Sequence, residues 1–321
     1  MCRRDRPVGE AEHLMINRRD FVLAAGISAL GVAGPAPGAA QAGVDVTPPV
    51  GPWESRNELR RAGGVLHYAA TGPDNTGKPP VVLLHRLGGW LSDWRHVAAI
   101  LGRERRVIAF DLPGHGGSQW QGPPPYVQTL GESASLLVGA FDELEIDKVD
   151  LIGTSLGGCV SVILAAFWPE RINRLAIVSS ALAPRRSLDQ IRALIDDAQR
   201  DLFDENGLPI VFREDMLNET FGIVDTHDIY VESLASRKAA GRWIQPSERG
   251  VAITDIVGTL ARVTAPTLIA YGEKDRAYGK YRAGAEAALP GATFLEIANS
   301  GAFAMQEEPA ALARVLSDFI D

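Results

Sequence analysis

The stretch LIGTSLGG at residues 151–158 decides the fold, because an apolar strand runs through Gly-x-Ser-x-Gly directly into an apolar helix. This arrangement is the nucleophile elbow pattern. Glycines at 153 and 157 allow two backbone segments to approach at a sharp turn. The apolar flanks at 149–152 and 159–167 strengthen a motif that is weak by itself. We therefore predict that Ser155 stands at a strand-to-helix turn, with a helix N-terminus that favours developing negative charge.

The rest of the chain repeats this alternation of strand and helix from Gly64 onward. Such alternation is typical of an α/β fold with a mostly parallel sheet covered by helices on both faces. Residues 181–260 differ, since they predict charged helices and no further strand, and we interpret them as a lid over the carboxyl edge of the sheet. A final amphipathic helix opens at Pro309. The predicted strands cover residues 65–70, 81–84, 107–110, 149–152, 175–179, 266–271 and 293–297.

Composition limits the classes of function. With 321 residues and 46% hydrophobic content, the chain can bury a substantial core. A net charge of −8 argues against a nucleic-acid partner or an anionic membrane surface, which require concentrated Lys and Arg. The sequence contains no metal-ligand cluster of Cys and His, so we expect neither a metal nor a cofactor.

The N-terminal segment has the features of an export signal. Arg18 and Arg19 precede a Gly- and Ala-rich run that ends near Ala42, and this pattern resembles a twin-arginine signal. The apolar part, residues 21–32, is too short for a stable membrane anchor. We predict a signal peptide at 1–42, a Pro-rich linker at 43–63, a folded domain at 64–321, and export to the periplasm or beyond.

Four motifs in order carry a resemblance to a known family. They are HRLGG at 85–89, DLPGHGGS at 111–118, GTSLGG at 153–158 and YGEKD at 271–275. With them, the region from Gly64 to the C-terminus resembles an α/β-hydrolase of the lidded, single-domain kind. The resemblance implies a small-molecule substrate, and the lid aromatics suggest that it is partly apolar.

The resemblance also implies roles for individual residues. Ser155 would be the nucleophile and Asp275 the acid that orients a histidine. The backbone amides of Leu87 and Leu156 would form the oxyanion hole. His85 and His115, each in a glycine-rich loop, would support those loops and take no part in proton transfer.

The sequence departs from the family pattern at the histidine. After the last predicted strand the family has Gly-His, whereas here Ala302 follows Gly301. Loss of a triad histidine costs on the order of a million-fold in turnover. His227, in the predicted lid, could in principle lean over Ser155, although we favour its interpretation as a polar lid residue.

A second departure is Arg86, which stands where the family usually has glycine. Its guanidinium could anchor a carboxylate or phosphate of a ligand. Alternatively, the loop is relaxed and the arginine points into solvent. The sequence gives equal support to both interpretations.

Three hypotheses about function remain open at this point. The chain could be an exported esterase or carbon–carbon hydrolase that acts through Ser155 with weak or atypical activity. It could be a non-catalytic relative that binds a small ligand or a protein partner. Ala302 and Arg86 could also be introduced changes in an otherwise ordinary hydrolase.

Overall fold

The computed structural model describes residues 48–210 and 213–321, so the predicted signal peptide lies outside the described residues. Strands of the described part form one sheet in the order β1-β2-β4-β3-β5-β6-β7-β8. β2 pairs antiparallel with both β1 and β4, and the other neighbours are parallel. The strands are β1 Ser55–Arg61, β2 Gly64–Thr71, β3 Val81–Leu84, β4 Val107–Phe110, β5 Val149–Thr154, β6 Ile172–Val178, β7 Thr267–Gly272 and β8 Thr293–Ile297.

The predicted mostly parallel α/β sheet is confirmed, and its apolar strands explain why. β3, β4 and β5 are buried along their whole length, as expected for strands covered on both faces. The predicted linker at 43–63 needs a correction, because it contains β1. This edge strand has the polar sequence SRNELRR and is largely exposed, so no apolar run reveals it; main-chain pairing with β2 holds it in the sheet.

Helices pack in two groups against the sheet. α1 contacts α11, whereas α3 contacts both α2 and α8. A capping box opens α2, with Thr129 and Glu132 each accepting the other's backbone amide. The helices are α1 Arg95–Leu101, α2 Leu130–Glu143, α3 Leu156–Phe167, α4 Leu188–Asp201, α5 Asp215–Phe221, α6 His227–Ala240, α7 Ile244–Ile253, α8 Ile256–Leu260, α9 Arg282–Ala288, α10 Ala304–Glu307 and α11 Pro309–Ile320.

The helices α4 to α8 lie between β6 and β7, and we call residues 188–260 the helical insert. The insert contacts loops that follow the carboxyl ends of strands. Ser236 donates a hydrogen bond to the Gly88 carbonyl after β3 (2.7 Å), and Phe221 accepts one from the Ala302 amide after β8 (2.9 Å). Among the residues the structure describes, no helix is long and apolar enough to cross a membrane.

Candidate active site

The elbow between β5 and α3 holds Ser155 in a strained conformation. Its φ of 50° and ψ of −114° are rare for any residue other than glycine. A Cβ at Gly153 would collide with the Gly157 carbonyl, and a Cβ at Gly157 would collide with the Leu84 carbonyl. The strand and the helix can therefore approach this closely only because both positions lack side chains.

Two backbone amides beside Ser155 remain available for a ligand oxygen. The Gly157 amide donates to the His85 carbonyl (3.0 Å), which ties the loop after β3 to the start of α3. Within the described residues, neither the Leu87 nor the Leu156 amide donates to a protein acceptor. Since Leu156 opens α3, its amide is one of those that a helix leaves without an intrahelical partner. These are the two amides that the resemblance assigns to an oxyanion hole.

Two buried histidines support the loops around this site, as the sequence predicts. His85 Nε2 accepts a hydrogen bond from the Leu112 amide (2.9 Å), so Nδ1 carries the proton and donates to the Arg86 carbonyl (2.7 Å). Burial lowers the pKa of His85 to about 4. Burial likewise lowers the pKa of His115 to about 3. Both rings are therefore neutral at physiological pH.

Asp275 follows β7, and only one of its two carboxylate oxygens accepts hydrogen bonds of good geometry. Oδ1 accepts the backbone amides of Ala277 and Tyr278, each at 2.9 Å. Oδ2 is shielded from solvent and has no hydrogen-bond partner of good geometry among the described residues. Desolvation raises the pKa of Asp275 to about 6, while the two amides and the Ser179 hydroxyl act in the opposite direction. The carboxylate is therefore mostly ionised at neutral pH.

Ala302 lies in the loop after β8, directly after Gly301. Its side chain is buried, with 1% of the residue exposed. The following residue, Phe303, packs on Phe221 with ring centroids 5.0 Å apart. The carboxylate of Glu307 holds the loop by accepting the Gly301 amide (3.0 Å). Position 302 thus contributes a methyl group and no titratable group.

The other described histidines make contacts away from Ser155 or lie at the surface. The His227 side chain is 73% exposed and lies 3.5 Å from Glu214, so it is a polar surface residue of the insert, as favoured above. His67 is paired with Asp111 (2.7 Å). His96 lies on α1 and is exposed.

No sequence motif singles out Tyr278, although its hydroxyl lies 2.9 Å from Ser155 Oγ. The turn formed by Asp275 Oδ1 places it there, three residues after the carboxylate. Burial raises the pKa of Tyr278 above its ordinary value. The phenol therefore stays neutral and is a hydrogen-bond partner for Ser155, not a general base.

The model of the alpha/beta hydrolase family matches residues 81–315. The chain belongs to this family. Its eight-stranded sheet, with β2 antiparallel and the strand β5 leading into the Ser155 elbow, has the architecture that the family assignment requires.

Relatives of this α/β-hydrolase include a carbon–carbon hydrolase. A 2-hydroxy-6-oxononadienedioate/2-hydroxy-6-oxononatrienedioate hydrolase of Cupriavidus pinatubonensis is 27% identical over 281 residues, which cover 79% of this chain and 90% of that protein. A dihydrolipoyllysine-residue acetyltransferase component of an acetoin cleaving system from Pseudomonas putida is 37% identical over 131 residues. That second match covers only 34% of the relative.

Solved structures confirm the fold of this α/β-hydrolase. A thermophilic esterase from Thermogutta terrifontis superposes with a TM-score of 0.67. The two chains are 21% identical, and the match covers 83% of this chain and 98% of the esterase. At this identity the likeness establishes the fold and leaves the substrate to other arguments.

Arg86 of this α/β-hydrolase lies beneath the helical insert. It is 5% exposed, its Nη2 donates to Ser233 on α6 (2.9 Å), and its guanidinium lies over the Phe303 ring (4.6 Å). Its Nε is 3.4 Å from Asp93 Oδ2. The interpretation in which Arg86 points into solvent is therefore wrong. A role as a ligand anchor stays a prediction.

Other charges are buried where the insert meets the loops. Glu232 on α6 pairs with Arg95 (2.8 Å) and accepts the Trp90 indole N–H (3.0 Å). Burial raises the pKa of Asp93 to about 7. Burial also raises the pKa of Glu248 on α7 to about 8, although the charges of Arg237 and Arg249 act to lower it. The packing of the insert is thereby coupled to pH.

We expect Glu248→Gln to flatten the pH dependence of stability. Between the unfolded pKa of 4.5 and the folded pKa of about 8, the folded protein holds a proton that the unfolded chain has released. The contribution of Glu248 to the free energy of unfolding is therefore fully present below pH 4.5 and is lost as the pH rises from 4.5 through about 8. The loss is at most about 1.4 kcal/mol per pH unit. Urea unfolding of both proteins at pH 5, 7 and 9 measures the difference; parallel curves would contradict the prediction.

Proposed function

We propose that this chain is an exported hydrolase that uses Ser155 to attack small, partly apolar esters or carbon–carbon bonds next to a carbonyl group. The observation that carries the proposal is the strained backbone of Ser155 at the start of α3, together with the Leu87 and Leu156 amides, which have no protein acceptor among the described residues. The name of one relative, a 2-hydroxy-6-oxononadienedioate/2-hydroxy-6-oxononatrienedioate hydrolase, supports the carbon–carbon substrate class. Turnover is low, because Ala302 supplies no base.

The chemistry follows from the groups present. Ser155 Oγ attacks the carbonyl carbon, and the amides of Leu87 and Leu156 stabilise the oxyanion. Asp275 orients no histidine, and Tyr278 is too weakly basic to remove the serine proton. Oxyanion donors and substrate binding alone leave roughly a thousandfold to ten-thousandfold acceleration over water.

Replacing Ser155 with alanine tests the proposal directly. We expect loss of p-nitrophenyl acetate hydrolysis above the buffer rate and loss of labelling by a fluorophosphonate probe, since both require the serine oxygen. Ser135→Ala, which removes an exposed hydroxyl from α2, is the matched control and should leave both readouts unchanged. Equal rates and equal labelling in wild type and Ser155→Ala would refute a role for Ser155.

Export is proposed from the arginine pair alone. Arg18 and Arg19 precede the Gly- and Ala-rich run of a twin-arginine signal. Cell fractionation of the full chain should recover the mature protein in the periplasm or medium, and Arg18→Lys with Arg19→Lys should retain it in the cytoplasm. Equal distribution of the two proteins would contradict this assignment.

A non-catalytic binding role is the second candidate, and a specific observation favours it. Ala302 stands where a base would be required, and the Ser155 hydroxyl is bonded to the neutral Tyr278. A parent protein that neither hydrolyses activated esters nor reacts with the fluorophosphonate would support this candidate over the first.

A further inference from the structure

The uncommitted oxygen of Asp275 is an unusual feature of the region around Ser155. Asp275 itself is half-buried, but its Oδ2 atom is shielded from solvent and has no hydrogen-bond partner of good geometry among the described residues. The Ser179 hydroxyl lies beside this carboxyl group and lowers its pKa by hydrogen bonding, but neither atom has a hydrogen bond of good geometry. Buried polar atoms are nearly always satisfied, so a carboxylate oxygen whose contact with a protein hydroxyl has poor geometry calls for an explanation.

Two hydrogen bonds of Tyr278 connect Asp275 to Ser155. The Tyr278 amide donates to Asp275 Oδ1, and the Tyr278 hydroxyl bonds to Ser155 Oγ. The loop that contains Ala302 lies on the other side, since the Lys274 amide donates to the Ser300 carbonyl (2.8 Å). Ala302 has only a methyl group, so its side chain offers no donor to Oδ2.

The chemistry of the two groups specifies what could bind between them. A carboxylate oxygen accepts an N–H, and strongly so when it is ionised and desolvated. A serine hydroxyl becomes nucleophilic when a lone pair removes its proton. A planar nitrogen heterocycle of the imidazole class has both an N–H and a lone-pair nitrogen, on opposite sides of a small ring.

We propose that Asp275 and Ser155 together bind a small ligand or substrate group of the imidazole class, which supplies the base that the chain lacks. The ligand N–H donates to Asp275 Oδ2, and its second nitrogen accepts the Ser155 hydroxyl in place of Tyr278. The inference rests on the proposed function of Ser155 and names a chemical class of ligand for that site.

In the acylation of Ser155, the imidazole ring acts first as a base and then as an acid. The Ser155 Oγ–carbon bond forms while the Oγ proton moves to the ring nitrogen. The resulting imidazolium returns this proton to the leaving-group oxygen as the carbon–oxygen bond breaks. The alcohol leaves, acyl-Ser155 remains, and water then repeats the sequence to release the acid and the free hydroxyl.

The test measures p-nitrophenyl acetate hydrolysis by the full chain with increasing imidazole, after subtraction of the rate in imidazole buffer alone. We expect a saturable increase of at least about tenfold, following the neutral imidazole fraction with a midpoint near pH 7 and absent in Ser155→Ala. 1-Methylimidazole, which has the lone pair but no N–H, should give less than about a twofold increase because it cannot donate to Asp275.

Two variants distinguish imidazole bound between Asp275 and Ser155 from imidazole that acts elsewhere on the protein. Asp275→Asn should abolish most of the imidazole response. Tyr278→Phe should enlarge it, because the substitution removes the competing hydroxyl and keeps the ring. Thermal unfolding establishes that each variant is folded before it is assayed.

The inference is overturned by a linear response, by equal responses to imidazole and 1-methylimidazole, or by an unchanged response in Asp275→Asn. If hydrolysis without imidazole depends on Ser155 but imidazole adds nothing, this inference fails and the proposed function stands. If the parent shows neither hydrolysis nor fluorophosphonate labelling with or without imidazole, both fail.

Discussion

Replacing Ala302 with histidine should increase hydrolysis of an activated ester on the order of a hundredfold or more. Removal of a triad histidine costs about a million-fold in a related serine mechanism, and restoration in an unevolved loop should recover part of that. The new imidazole would find Asp275 Oδ2 without a hydrogen-bond partner and Ser155 at the elbow. Steady-state kinetics on p-nitrophenyl acetate, with active sites titrated by a fluorophosphonate, give the comparison.

Tyr278 limits this gain in a way that can be measured. Its hydroxyl already bonds to Ser155 Oγ at 2.9 Å, so it competes with an introduced histidine. Ala302→His with Tyr278→Phe should therefore exceed Ala302→His alone, whereas Ala302→Gln, of similar size but with no base, should match the parent. If the histidine and glutamine variants were equally active, the loop after β8 would not reach Ser155 and the assignment of position 302 would be wrong.

A single methyl group at Gly157 should destabilise the folded chain by about 3 kcal/mol, the upper part of the usual range for overpacking. The added Cβ would collide with the Leu84 carbonyl, with the His85 carbonyl only 2.7 Å away. These are backbone atoms of β3 and of the loop after it, and they cannot rotate away as a side chain would. Urea unfolding of Gly157→Ala measures the loss, and fluorophosphonate labelling should fall with it.

Gly139 provides the matched control, because it lies within α2 and a Cβ there would meet no atom within 4 Å. Gly139→Ala should stabilise the protein by about 0.5–1 kcal/mol, since alanine loses less backbone entropy in a helix. Similar unfolding free energies for the two variants would show that the elbow does not require its glycine.

Strands were predictable wherever burial left a continuous apolar run. β3 and β4, which are buried throughout, begin and end at the predicted residues, and the other central strands differ by a few residues at their ends. β8 also matches although it is a largely exposed edge strand, because its sequence TFLEI is still mostly apolar. β1 was missed, since its sequence SRNELRR has no apolar run to detect. The insert was predicted as helical, but α7 and α8 were not recognised because their apolar residues are interrupted by Gly, Pro and charge.

The sequence by itself determined the fold class, the elbow at Ser155 and the lack of histidine at position 302, because each depends on residue type at a fixed place in a local pattern. Only the tertiary structure decided that Arg86 is buried under α6 and that Tyr278 forms a hydrogen bond with Ser155. It also decided that one carboxylate oxygen of Asp275 has no hydrogen bond of good geometry. Those contacts join segments up to 147 residues apart. Burial and packing across such distances set which polar atoms find partners, and no local pattern records that.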